Sequence, residues 1–68
     1  MAQSAVNATF LIARKERHLT QGQLAKRVGL TPNDVVRIER YHWMPPLAMR
    51  RRLARELKTA VETLFGEA

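Results

Sequence analysis

The stretch from Leu19 to Glu39, LTQGQLAKRVGLTPNDVVRIE, limits the folds open to this chain more than any other, because it marks the starts of two short helices and a sharp turn between them. Thr20 is placed to cap a helix that begins at Gln21. Three residues after the cap stands Gln23, whose side chain can reach back to the cap's own N–H. Leu19 and Leu24 flank that start as a hydrophobic staple. The same signals recur at Thr31, which caps a helix whose first residue is Pro32, a position where the missing N–H has no partner to lose. Asp34 takes the reaching-back position with a shorter side chain, and Leu30 and Val35 form the second staple. Between the two helices lies Gly29, free to adopt the positive φ that ends a helix and redirects the chain.

Helices this short are marginal in water by themselves and must pack on something. Leu24, Ala25 and Val28 share one face of the first, and Val35 and Ile38 share one face of the second. The outer face of the second helix is then left to Pro32, Asn33, Val36, Arg37 and Arg40. An amide, a valine and two arginines at helical spacing are groups that read base edges in a major groove: Arg pairs with guanine, Asn with adenine, and an apolar carbon touches a thymine methyl. The alternative reading of the segment is an ordinary helical hairpin turned by a glycine.

The rest of the chain supplies the frame. Sixty-eight residues allow one domain with one small core, near the lower limit for independent folding. With no cysteine there is neither a disulfide framework nor a thiolate metal site. Twelve Lys and Arg against six Asp and Glu leave a formal charge of +6, as expected of a nucleic-acid binder, though basic surfaces also serve other ends. No apolar run is long enough to span a bilayer, and MAQSAVNATF lacks the basic start of a signal peptide, so a cytoplasmic, nucleoid-associated protein is expected. His18 and His42 have no further ligand at metal-binding spacing, and no phosphate loop or nucleophile–base arrangement is present. Neither an enzyme nor a cofactor or metal is expected.

Taken in order, residues from about Ser4 to Arg17 read as a first helix, with Ser4 or Asn7 as the cap and Val6, Phe10 and Ala13 on one face. Leu11 and Ile12 do not fit one narrow stripe, so one of them is partly exposed or faces the last helix. After the central motif comes YHWMPP (41–46), in which Tyr41 and Trp43 have three open roles: lying along a phosphate backbone, filling a subunit contact, or roofing the core. Pro46 suits the first turn of a fourth helix whose inward face is Met49, Leu53, Ala54 and Leu57. Arg50 falls on that same face and must snorkel, find an acidic partner or bind phosphate. Thr59 to Glu62 reads as a third capping box, opening a short last helix lined by Val61, Leu64 and Phe65, with Gly66 at its end.

Arg14, the 19–31 segment, Val35 and Ile38 with Glu39, then Pro45, Leu53, Ala54, Leu57 and the closing Leu64–Phe65 together resemble the lambda-repressor-like, Cro-like family of small phage and bacterial regulators, also called XRE-type. The resemblance runs from about Phe10 to Phe65. It implies an all-α, compact five-helix domain spanning residues 1–68 with a helix-turn-helix at 20–39. It further implies sequence-specific binding to double-stranded DNA, as a small transcriptional regulator, a repressor, acting as a homodimer on a palindromic operator. By the resemblance, Arg14 forms an inward ion pair with Glu39, whereas the helical pattern alone would leave both solvated. Gln21 stands where the family holds a phosphate oxygen, beside the free N–H groups of a helix start.

The candidate DNA contacts are therefore Gln21, Thr31, Pro32, Asn33, Val36, Arg37 and Arg40. Asn33 and Arg37 are the expected base readers, and Arg40 contacts base or phosphate. Val36 either touches a thymine methyl or packs on the fourth helix. Asp34 reads as a cap that offsets the helix dipole or, less in keeping with a polyanion, as a cytosine reader. The chain departs from the family where glycine is usual, at Arg40 and Lys58, and in a loop one residue longer, so the helix at 32–40 runs on or ends in a strained turn. Val61, Leu64 and Phe65, with the 41–46 loop, are the expected dimer contact. The same C-terminal patch would instead grip a partner protein in an antitoxin-like or other interaction module of the same fold.

Overall fold

Residues 7–66 are described by the computed structural model, and among them lie five helices and no strand: α1 (Ala8–Glu16), α2 (Gln21–Val28), α3 (Pro32–Tyr41), α4 (Leu47–Leu57) and α5 (Val61–Phe65). Asn7 ties the start of α1 to the rest of the fold. Its side-chain oxygen accepts the Phe10 N–H, its amide nitrogen donates to the Leu64 carbonyl at 2.9 Å, and its backbone N–H donates to the Glu39 carbonyl. Because Asn7 itself is non-helical and caps, α1 begins at Ala8 and not at Ser4. Ser4 and Val6 lie outside the described residues.

Both central caps form as the sequence requires. Thr20 accepts from the Gln23 N–H while the Gln23 side chain accepts from the Thr20 N–H, and Thr31 and Asp34 make the same reciprocal pair. Gly29 ends α2 at φ +81°. The short turn sets α2 closely against α3, and that pair is seated on α1 and α4 by a core of Phe10, Leu24, Val28, Val35, Ile38, Leu53, Leu57 and Leu64. Truncating a fully buried member such as Ile38 to alanine would cost about 2–5 kcal/mol, a large share of what so small a domain has.

The helix ends have local causes, and the first of them follows the sequence reading while those at α4 and α5 do not. With Arg40 in place of a glycine, α3 continues to Tyr41 and closes on His42 at φ +53°. His18 and Lys58 also adopt positive φ after α1 and α4, so three helices stop on residues that carry a Cβ in this region and bear its strain. Pro46 sits just before α4 and not within its first turn, while Pro45 is buried. The capping box expected at Thr59–Glu62 does not form. The Thr59 hydroxyl donates to the Leu57 carbonyl at 3.0 Å, and α5 starts behind Ala60, one residue too late for a Thr59 cap.

The C-terminal patch is the largest correction. Leu64 is fully inside, Phe65 meets the Phe10 ring at 5.8 Å between centroids, and Val61 packs partly against the same core, so Leu64 is unavailable to a second subunit or partner. Large apolar side chains are exposed instead at Ile12, Tyr41, Met44 and Leu47. Arg50 resolves its conflict by donating from Nε to the Pro45 carbonyl at 2.9 Å, which pins the loop before α4. Arg27 of α2 pairs with Glu56 of α4 at 2.9 Å, and Lys26 is exposed.

Candidate nucleic-acid interface

The aim of α3 is set from beneath. Val35 and Ile38 are completely buried and Glu39, one residue on, is 3% exposed, so the helix is held along one whole side. Under it, Arg14 of α1 donates from Nε to Glu39 Oε2 at 2.6 Å and from Nη2 to Glu39 Oε1 at 3.2 Å, a two-pronged pair in which the planar guanidinium matches the carboxylate. Its Nη1 donates to the Leu19 carbonyl at 2.7 Å. The inward pair that the resemblance implied is thus present and also fastens the chain just before α2. No buried side-chain nitrogen or oxygen among the described residues lacks a partner, which such a buried charge pair requires.

With that side occupied, α3 turns Pro32, Asn33, Arg37 and Arg40 to solvent, with Val36 half-buried between them. Thr31, exposed at the helix start, uses its oxygen to accept the Asp34 N–H. Asp34 is a cap and more. It accepts the Thr31 N–H on one oxygen and meets Arg37 Nη1 at 3.3 Å on the other. The Thr31 backbone N–H, then the Thr31 hydroxyl and the Arg37 charge hold its carboxyl below the usual value, against a smaller opposing effect of desolvation.

Gln21 is half-buried and has a structural partner: its Nε2 donates to Glu39 Oε1 at 3.0 Å. It extends the Arg14–Glu39 pair to the start of α2 and keeps its carbonyl oxygen and second amide hydrogen for other use. Beside it opens a cleft of about 690 Å³ lined by Leu11, Arg14, Lys15, Gln21, Glu39, Arg40 and Tyr41. Lys15 and Arg40 bring two positive charges to that cleft from different helices. Nothing in the spacing of Lys15 along α1 shows that the end of α3 comes alongside.

A second contact escaped the sequence altogether. The Arg37 guanidinium carbon lies 4.8 Å from the Trp43 ring centroid, face on the π-system, although the two residues are six apart and on no common helical face. The positive φ at His42 folds the chain back so that the Trp43 N–H donates to the Arg37 carbonyl at 3.0 Å. Trp43 is partly buried against the core on its other side, so of the three open roles it roofs the core and backs an outward arginine.

A family model described as helix-turn-helix matches residues 11–64. The chain belongs to the lambda-repressor-like helix-turn-helix family. This helix-turn-helix protein is also 40% identical over 53 residues, 76% of its own length and 77% of the other chain, to a protein of Methanothermobacter thermautotrophicus described as an uncharacterized HTH-type transcriptional regulator. No solved structure gives a significant match. Membership of this family carries DNA binding with it, and it accounts for the arrangement seen here: α2 and α3 set at a fixed angle, with the second helix bare on its outer face.

Proposed function

We propose that this protein is a sequence-specific repressor that binds double-stranded DNA as a homodimer, with α3 in the major groove of each half of a palindromic operator. The observation that carries the reading is the outer face of α3, where Asn33, Arg37 and Arg40 are exposed, with Val36 half-buried between them, above a helix gripped from below by Val35, Ile38 and Glu39. Asn33 and Arg37 supply base readout, with Val36 beside them. Thr31, Pro32 and Arg40 border the groove, and Gln21, at the start of α2, takes a phosphate oxygen with the N–H groups it does not spend on Glu39. Lys15, across the cleft from Gln21, joins it on the phosphate backbone. Regulation of transcription follows from the kinship to a protein bearing that description.

A two-fold contact through Tyr41, Met44 and Leu47 suits the dimer better than the C-terminal patch, because these side chains are exposed and Leu64 is not. The same burial takes Leu64 out of the patch on which the antitoxin-like alternative depended, leaving it Val61 and Phe65, both partly buried. Half-sites are expected about one helical turn, roughly 34 Å, apart. Selection of bound sequences from a random duplex pool tests the proposal: an enriched inverted repeat, bound more weakly as salt rises through counterion release, is the expected result. Failure to enrich any sequence, or binding indifferent to salt, would overturn it.

A further inference from the structure

We infer that Trp43 is a positioning residue for Arg37, holding its guanidinium so that one edge is presented to guanine; the inference rests on the reading of α3 as the base-reading helix. Arg37 is nearly half exposed, and an arginine in that position ordinarily loses rotamer freedom when it orders on a base. Here it is ordered in advance from two directions. Trp43 covers one face of the guanidinium plane at 4.8 Å, and Asp34 Oδ1 engages Nη1 at 3.3 Å. A planar fork stacked by its face and tied at one nitrogen still has donors along its remaining edge, and two parallel donors are what guanine O6 and N7 accept.

The placement follows from where α3 stops. At the left-handed ends after α1, α2 and α4 the residue beyond the turn bonds back to the carbonyl five positions earlier, whereas beyond His42 the Trp43 N–H reaches one position further, to the Arg37 carbonyl. A helix closed at position 40, where Arg40 replaces the glycine common in the family, would by the five-position return join residue 41 to residue 36 and leave Arg37 without its aromatic support. The two extra residues of α3, the strained His42 and the stacked Trp43 therefore act as one device.

The chain has one tryptophan, so the pair can be read directly. Without DNA, Arg37→Met should alter the emission of Trp43 and raise its quenching by acrylamide. With DNA, binding to the selected duplex and to a random duplex is compared for the wild type, Trp43→Phe, Trp43→Leu, Arg37→Met and the Trp43→Leu/Arg37→Met double variant. Trp43→Leu should lower discrimination by about two- to fivefold, at the guanine facing Arg37, with random-duplex affinity unchanged. Trp43→Phe should retain most of the discrimination, and the double variant should lose no more than Arg37→Met alone. Where circular dichroism shows Trp43→Leu unfolded, Trp43→Phe and Trp43→His carry the comparison, ranked by the strength of the ring's attraction for a cation. Unchanged discrimination in the folded variants, equal loss on both duplexes, or additive losses in the double variant would overturn the inference. If the wild type itself fails to discriminate, the DNA reading falls and takes this inference with it, even where the quenching difference shows the pair intact.

Discussion

Arg14 and Arg37 each face a carboxylate, yet their surroundings give them opposite work. The Arg14–Glu39 side chains are 8% and 3% exposed and every donor that matters is spent inside, on Glu39 or on the Leu19 carbonyl. Arg37 and Asp34 are 47% and 22% exposed, three residues apart on one helix, and the arginine keeps an edge in solvent. Water screens the outer pair and rewards it little, whereas the inner pair has left water and cannot be broken without stranding a charge. The contrast separates a residue that holds α3 from one that α3 presents. Glu39 and Arg40, adjacent in sequence, fall on opposite sides of that division: one is buried and one is exposed.

The largest effect should come from the inner pair. Arg14→Ala strands Glu39 and is expected to cost about 3–5 kcal/mol, enough to leave much of so small a domain unfolded at 37 °C, as a urea or thermal melt would report. Replacing both partners, as in Arg14→Met with Glu39→Leu, should recover a good part of the loss, because two apolar groups owe nothing to each other. A double variant no more stable than the single one would place the cost in packing around α1 and not in the charge. For the outer pair the expectation is inverted. Arg37→Ala should leave the melt within about 0.5 kcal/mol of the wild type while costing about 1–3 kcal/mol of binding to the selected duplex and relaxing one base position. Equal losses on selected and random DNA would remove Arg37 from base readout.

Gln21 stands between the two regimes and sharpens the comparison. It donates to Glu39 from within the inner network while lying at the helix start that opens on the basic cleft. Gln21→Ala should therefore lower stability by about 1 kcal/mol and weaken binding to all sequences alike. A loss confined to stability, with random-duplex affinity intact at several salt concentrations, would make Gln21 a brace for Glu39 alone.

The division was only partly legible in the sequence, and the reason lies in which forces are local. The two caps, Gly29 and the inward sides of α2 and α3 are written in residues three or four apart, so the outward setting of Asn33, Arg37 and Arg40 follows from period alone. Arg14 with Glu39 needed the family resemblance, because a stripe of apolar residues gives no reason to bury an arginine at its edge. Trp43 under Arg37 had no signal in any periodicity, since a left-handed turn at a histidine joins residues that no regular element would. Thr59 shows the opposite failure: the spacing of a capping box was present, but α5 begins one residue later, behind Ala60, and the Thr59 hydroxyl donates to the Leu57 carbonyl. The exposed patch was misplaced because α5 is held by residues more than fifty positions away in the chain: Asn7 donates to the Leu64 carbonyl and the Phe10 ring meets Phe65.

Asp34 offers the finest test of the outer pair, through its proton. The Thr31 N–H, with the Thr31 hydroxyl and Arg37 behind it, stabilises the charged carboxylate in the folded chain and holds its pKa below the unfolded value. Such a group binds its proton more weakly when folded, so its contribution to stability is complete above about pH 4 and disappears as pH falls through the lowered folded value. Asp34→Asn cannot carry that charge at any pH. Urea midpoints followed from pH 6 downwards should therefore show a small gap between wild type and Asp34→Asn that closes on the acid side, while Arg14→Ala remains far below both near neutral pH. A gap that stays constant down to pH 2 would mean that the cap works through shape and hydrogen bonding alone, and that the charge of Asp34 serves only to steady Arg37.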